Sequence, residues 1–89
     1  MSDNSVKSVI EALLFASEKP LAIEEMKRII GIDMAEVRKA IEELKEDYTQ
    51  VSRGMRIAEV AGGYQMITAA DFAPFLKKYY RARLSEKLS

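Results

Sequence analysis

Between Arg56 and Thr68 branched and aromatic residues flank a pair of glycines, Gly62-Gly63, in the one stretch of this chain that reads as two short strands. Paired glycines reach the positive φ values of a tight hairpin without a Cβ clash. The flanking segments before and after it repeat apolar residues at steps of three and four, so a single hairpin must be fitted into a helical chain. Few folds accommodate that. The strands are short, and Ile57 and Met66 are the residues expected to face inward.

Val6, Val9, Ile10, Leu13 and Leu14 make an apolar stripe that predicts a helix from about Val6 to Ser17. Phe15 lies about 100° round from Leu14 on a 3.6-residue helix, at the stripe's edge, where it either flanks the core or makes a contact. Lys19-Pro20 ends the helix, and Leu21-Ala22 is expected to be extended. A second helix is predicted over Ile23–Ile30, with Ile23, Met26 and Ile30 facing in and Gly31 as a left-handed C-cap. Asp33, three residues before Glu36, predicts a capping box for a third helix carrying Met34, Val37, Ile41, Leu44 and Tyr48. After the hairpin, Asp71 is expected to cap a last helix with Pro74 in its first turn, bearing Phe72, Phe75, Leu76, Tyr79 and Tyr80 and then Arg81, Arg83 and Lys87. The order helix, short strand, helix, helix, hairpin, helix is that of a winged helix-turn-helix, mainly α with a small β-hairpin. The domain is expected over residues 1–80, with 81–89 a basic tail or the start of a linker.

With 89 residues the chain is near the low end of what buries a self-sufficient core, so apolar surface left for a partner is expected. Four of the seven aromatic residues fall between Phe72 and Tyr80, more than a helix of that length needs. No apolar run is long enough to span a bilayer, and Met1-Ser2-Asp3-Asn4-Ser5 is no export signal, which points to the cytoplasm. There is no Cys and no His, which removes disulfides, thiolate metal sites and the usual general base. Adjacent carboxylates such as Glu24/Glu25 and Glu42/Glu43 diverge by about 100° on a helix and stay solvated, so no catalytic pair, cofactor or metal is expected.

A net charge of zero conceals an asymmetry: residues 1–52 hold seven Lys/Arg against eleven Asp/Glu, and residues 53–89 hold seven against three. Two readings stay open, solvated faces or head-to-tail attraction between copies or with a partner. A DNA-binding winged-helix regulator is the alternative function, but the third helix carries three bases against five acids. Such a helix would face phosphates at one charge per about 1.7 Å of duplex, and the wing tip Ala61-Gly62-Gly63-Tyr64 has no cation to hold a backbone. The basic residues among Tyr79 and Tyr80 are read as the solvated side of a packed aromatic stripe rather than as a phosphate grip. Association with protein is the preferred reading, with Phe15, Tyr64, Phe72, Phe75, Tyr79, Tyr80 and Arg83 as candidate interface residues.

Three stretches resemble the segregation and condensation protein B family: Ile10-Glu11-Ala12-Leu13-Leu14-Phe15-Ala16-Ser17 with Lys19-Pro20-Leu21, Val60-Ala61-Gly62-Gly63-Tyr64-Gln65, and Ala73-Pro74-Phe75-Leu76. The resemblance implies a non-enzymatic winged helix that homodimerises and joins the kleisin subunit, segregation and condensation protein A, and through it SMC, in chromosome condensation and segregation at the nucleoid. It further implies two tandem winged helices, of which this chain covers the first, with Arg83 to Ser89 falling where the family passes into a linker. Contact with the central kleisin segment belongs largely to the second. Ala22 departs from the Ser or Thr that the family commonly places before the second helix.

Overall fold

A computed structural model describes residues 3–50 and 53–88, so Met1, Ser2, Val51, Ser52 and Ser89 lie outside the described residues, as do the side chains of Asp3, Asn4, Lys87 and Leu88. The chain forms α1 (Asp3–Ala16), α2 (Ile23–Ile30), α3 (Met34–Asp47), β1 (Met55–Val60), β2 (Gly63–Thr68), a 3-10 turn (Ala70–Phe72) and α4 (Ala73–Leu88). This is the winged-helix order expected. The stripe of α1 buries Val6, Ile10 and Leu14 against Val37, Ile41 and Leu44 of α3, with Met26 of α2 closing one side and Ile57 and Tyr64 of the hairpin the other. Each such side chain stabilises the fold by about 1.5–3 kcal/mol relative to exposure, so a few residues per helix suffice to hold it.

Gly31 ends α2 in the left-handed conformation, φ 81°, and donates its N–H to the Lys27 carbonyl at 2.7 Å. Asp33 stands at the N-cap of α3 as expected, but its carboxylate accepts no bond there. The capping box is therefore not closed, and Asp33 remains exposed to water, which satisfies it equally well. Ala22 likewise precedes α2 without a side-chain cap.

The hairpin pairs Met55 with Thr68, Ile57 with Met66, Glu59 with Tyr64 and Val60 with Gly63. That register closes a two-residue turn at Ala61-Gly62, whose φ values of 50° and 79° are both positive. The expected Gly62-Gly63 turn is thus shifted by one residue, and Ala61 takes a conformation that carries a Cβ penalty. Gly63 is needed for another reason. A Cβ placed on it would lie 2.9 Å from the backbone C and O of Leu21. Leu21, extended after Lys19-Pro20, lies beside β2 and exchanges two backbone bonds with Tyr64, each 2.9 Å. The wing is thereby held to the α1–α2 connection as well as to the core.

Asp71, expected to cap the last helix, lies within the 3-10 turn, whose N-cap is Ala69. Pro74 occupies the first turn of α4, where its missing N–H has no partner to lose. The helix runs on over residues 81–88, the stretch expected as tail or linker. Arg81-Ala82-Arg83-Leu84 are strong helix formers, and no Gly or Pro interrupts them.

Candidate protein interface

Tyr64 does not belong to the surface. It is 8% exposed, and its ring packs in the core with Lys45 Nζ 5.9 Å from the centroid. Burial, then the charge of Glu59, raises its phenol pKa. Side chains two apart on a strand share a face, so Tyr64 goes inward with Met66. Phe15 is the opposite case: at 82% exposed it flanks no core.

α4 supplies most of the remaining candidates. Phe72 is half-buried at its root, whereas Phe75, Tyr79 and Tyr80 are exposed, Phe75 by 67%. From Lys77 to Glu86 every side chain is exposed, so this part of the helix projects beyond the body. The molecule extends 50 Å along its long axis against 27 and 23 Å across. The rest of the chain leaves Phe75, Tyr79 and Tyr80 exposed, while Phe72 and Leu76 at the base of the helix are partly buried. Tyr79 and Tyr80 meet each other at 5.4 Å between centroids, and the Arg83 guanidinium lies 5.9 Å from the Tyr79 ring while reaching Glu86 at 3.9 Å. Phe72, Leu76, Tyr80 and Leu84 recur at steps of four and wind along one arc, with Phe75 and Tyr79 on its flank. Leu84, also exposed, was missed by ending the stripe at Tyr80, although the same step of four reaches it.

A polar clip fixes the body that carries this helix. Lys7 pairs with Asp47 at 2.7 Å, the Tyr48 hydroxyl donates to Glu11, and Arg53 lies over the Tyr48 ring at 4.7 Å. The bond to Glu11, then burial, raises the Tyr48 pKa, and the bond to Asp47 raises that of Lys7. The contacts of Lys7 and Glu11 join two successive turns of α1 to the end of α3. Among the described residues no acidic group is arranged to hold a metal, and no helix is long and apolar enough to cross a membrane.

Residues 8–89 match the family model described as segregation and condensation complex subunit ScpB. The chain belongs to the ScpB family. A ScpB homolog of Coxiella burnetii is 38% identical over 87 residues, covering 93% of this chain and 41% of that protein. ScpB of Desulforamulus reducens is 33% identical over 78 residues, covering 88% and 43%. The chain thus spans roughly two fifths of the length of these ScpB relatives. Among solved structures, a dimer of a ScpB N-terminal domain complexed with ScpA peptide superposes with a TM-score of 0.82 at 31% identity, covering 85% of this chain and 95% of that one. ScpB from Mycobacterium tuberculosis superposes at 0.89 with 21% identity, covering 94% and 52%, which bears on the fold alone. The winged helix-turn-helix read from the residues is the fold of these ScpB domains. The family description, a segregation and condensation complex subunit, is the class the sequence indicated.

Proposed function

We propose that this chain is a protein-binding module of an SMC–kleisin complex, which self-associates and binds the kleisin subunit ScpA through α4 and Phe15, at the nucleoid in the cytoplasm. One observation carries the reading: the ten-residue stretch Lys77–Glu86 is exposed on every side yet holds Tyr79, Tyr80 and Leu84, with Phe75 exposed one turn before. Exposed aromatic and leucine side chains grouped on one arc lose their contact with water on association, and tyrosine and arginine are common anchors of such interfaces. The relative solved with a bound peptide supports the choice, since it is a dimer carrying ScpA peptide. In this reading the winged-helix body is the scaffold and residues 73–86 of α4 are its binding arm.

The test is a double substitution, Tyr79→Ser with Tyr80→Ser, followed by sedimentation at high salt and calorimetric titration with a purified kleisin C-terminal domain. Both side chains are exposed, so circular dichroism should stay unchanged. Self-association and kleisin affinity are expected to fall at least tenfold. A variant that keeps both at wild-type strength removes α4 from the interface.

A further inference from the structure

Lys77, Lys78 and Arg81 of α4 occupy positions i, i+1 and i+4, and Glu42, Glu43 and Glu46 of α3 occupy the same three positions with the opposite charge. All six are exposed. On an α-helix each triplet covers about 100° of the circumference and about 6 Å of length, so the two footprints match in size. The basic triplet is centred about 150° round α4 from the Phe72, Leu76, Tyr80 arc, with Lys77 about 20° from Leu84 at the arc's far edge, so covering the aromatic residues leaves Lys78 and Arg81 bare. Among the described residues Lys77, Lys78 and Arg81 form no ion pair, nor do Glu43 and Glu46, while Glu42 reaches Lys45 at 3.8 Å. Two surfaces of equal size and opposite sign stand on one molecule, the basic one on the projecting helix and the acidic one on the body, where Lys45 pairs with Glu42 and Lys7 feels the charge of Glu43.

We propose that the basic triplet of α4 docks on the acidic triplet of α3 of a second copy of this chain. The contact joins different surfaces, so it is heterologous: each copy keeps a free basic and a free acidic end, and association propagates beyond a dimer. It is also separate from the aromatic arc. Apolar self-association through that arc persists in salt, whereas this contact is screened away, the Debye length falling from about 20 Å at 25 mM to about 6 Å at 0.3 M.

Sedimentation velocity of the chain at those two ionic strengths tests it. The expected result is a species larger than a dimer at low salt that grows with concentration and disperses at high salt. Lys77→Glu/Lys78→Glu/Arg81→Glu and Glu42→Lys/Glu43→Lys/Glu46→Lys should each lose the large species, and mixing the two in equal amounts should bring it back. Recovery on mixing excludes misfolding as the cause of the loss. An unchanged mass at both ionic strengths, or a mixture no larger than its components, overturns the proposal. So does tight binding of a 30-base-pair duplex that the basic-triplet variant loses, with no salt-dependent self-association, since phosphates would then be the occupant. The high-salt dimer of Tyr79→Ser/Tyr80→Ser reports on the aromatic arc, and the low-salt growth reports on the triplets, so failure of one is distinguishable from failure of the other.

Discussion

Gly63→Ala should destabilise this domain although alanine is intrinsically better than glycine in a strand by roughly 0.5–1 kcal/mol. The added Cβ would stand 2.9 Å from the C and O of Leu21 and 3.1 Å from its N, where ordinary contact begins at 3.4 Å. The obstacle is backbone, so no side-chain rotation relieves it. Moving Leu21 away by about half an ångström stretches both 2.9 Å bonds with Tyr64 to about 3.4 Å, past the usual 2.7–3.2 Å range, and weakens them. Two such bonds contribute about 1–3 kcal/mol, and tolerating the clash instead costs a similar 1–3 kcal/mol. After the strand preference is subtracted, the expected loss is about 1–2 kcal/mol. In urea, with a slope near 1 kcal/mol per molar for a domain this small, the midpoint falls by roughly 1–2 M. Gly54→Ala is the control: nothing lies within 4 Å and its φ is not positive, so it should match or slightly exceed wild type. If Gly63→Ala unfolds at the wild-type midpoint, or Gly54→Ala falls as far, the close approach to Leu21 is not what requires glycine.

Ile41→Ala removes a fully buried side chain at the centre of the core and should cost about 2–5 kcal/mol by urea unfolding, enough to leave a marginal domain largely unfolded. Asp33→Ala should cost less than about 0.5 kcal/mol, below the usual N-cap effect, because its carboxylate makes no cap bond. Tyr48 has a folded pKa raised above its unfolded value near 10, so its contribution is complete below that pH and disappears as pH rises through the folded value. Tyr48→Phe should therefore be less stable than wild type at pH 8, by about 1 kcal/mol, with the gap narrowing above pH 10 in parallel thermal melts. Phe75→Ala, at an exposed position, should leave the melting temperature within about 3 °C.

The helical part of the fold was legible because its signals are local. Val6 to Leu14 and Val37 to Leu44 show the spacing of a buried stripe, and Gly31 marks a stop that needs no knowledge of the rest of the chain. The hairpin was legible in kind but not in register. A second glycine beside Gly62 looks like turn chemistry, yet Gly63 answers to Leu21, a neighbour brought close only by folding. Tyr64 is different, for the signal was present: once Met66 faces inward, the alternation of a strand takes Tyr64 with it. On α4 the excess of aromatic residues announced that something must cover them. Periodicity carries no information on whether that cover comes from the same chain, and the exposure of Tyr79 and Tyr80 shows that this chain does not supply it.

Since α4 touches the rest of the domain near its first turn, it behaves mechanically as a lever with a short fulcrum at Ala70–Phe72. Its 16 residues measure about 24 Å, so a tilt of about 10° at the fulcrum carries the far end through about 4 Å. A displacement of that size is about three quarters of a helical turn, enough to pull a bound side chain out of its pocket. The spacing between whatever is attached at the two ends is therefore governed by the backbone of three residues. Substitutions at Ala70 or Asp71 would alter the reach of the arm while leaving the aromatic arc, which begins at Phe72, unchanged.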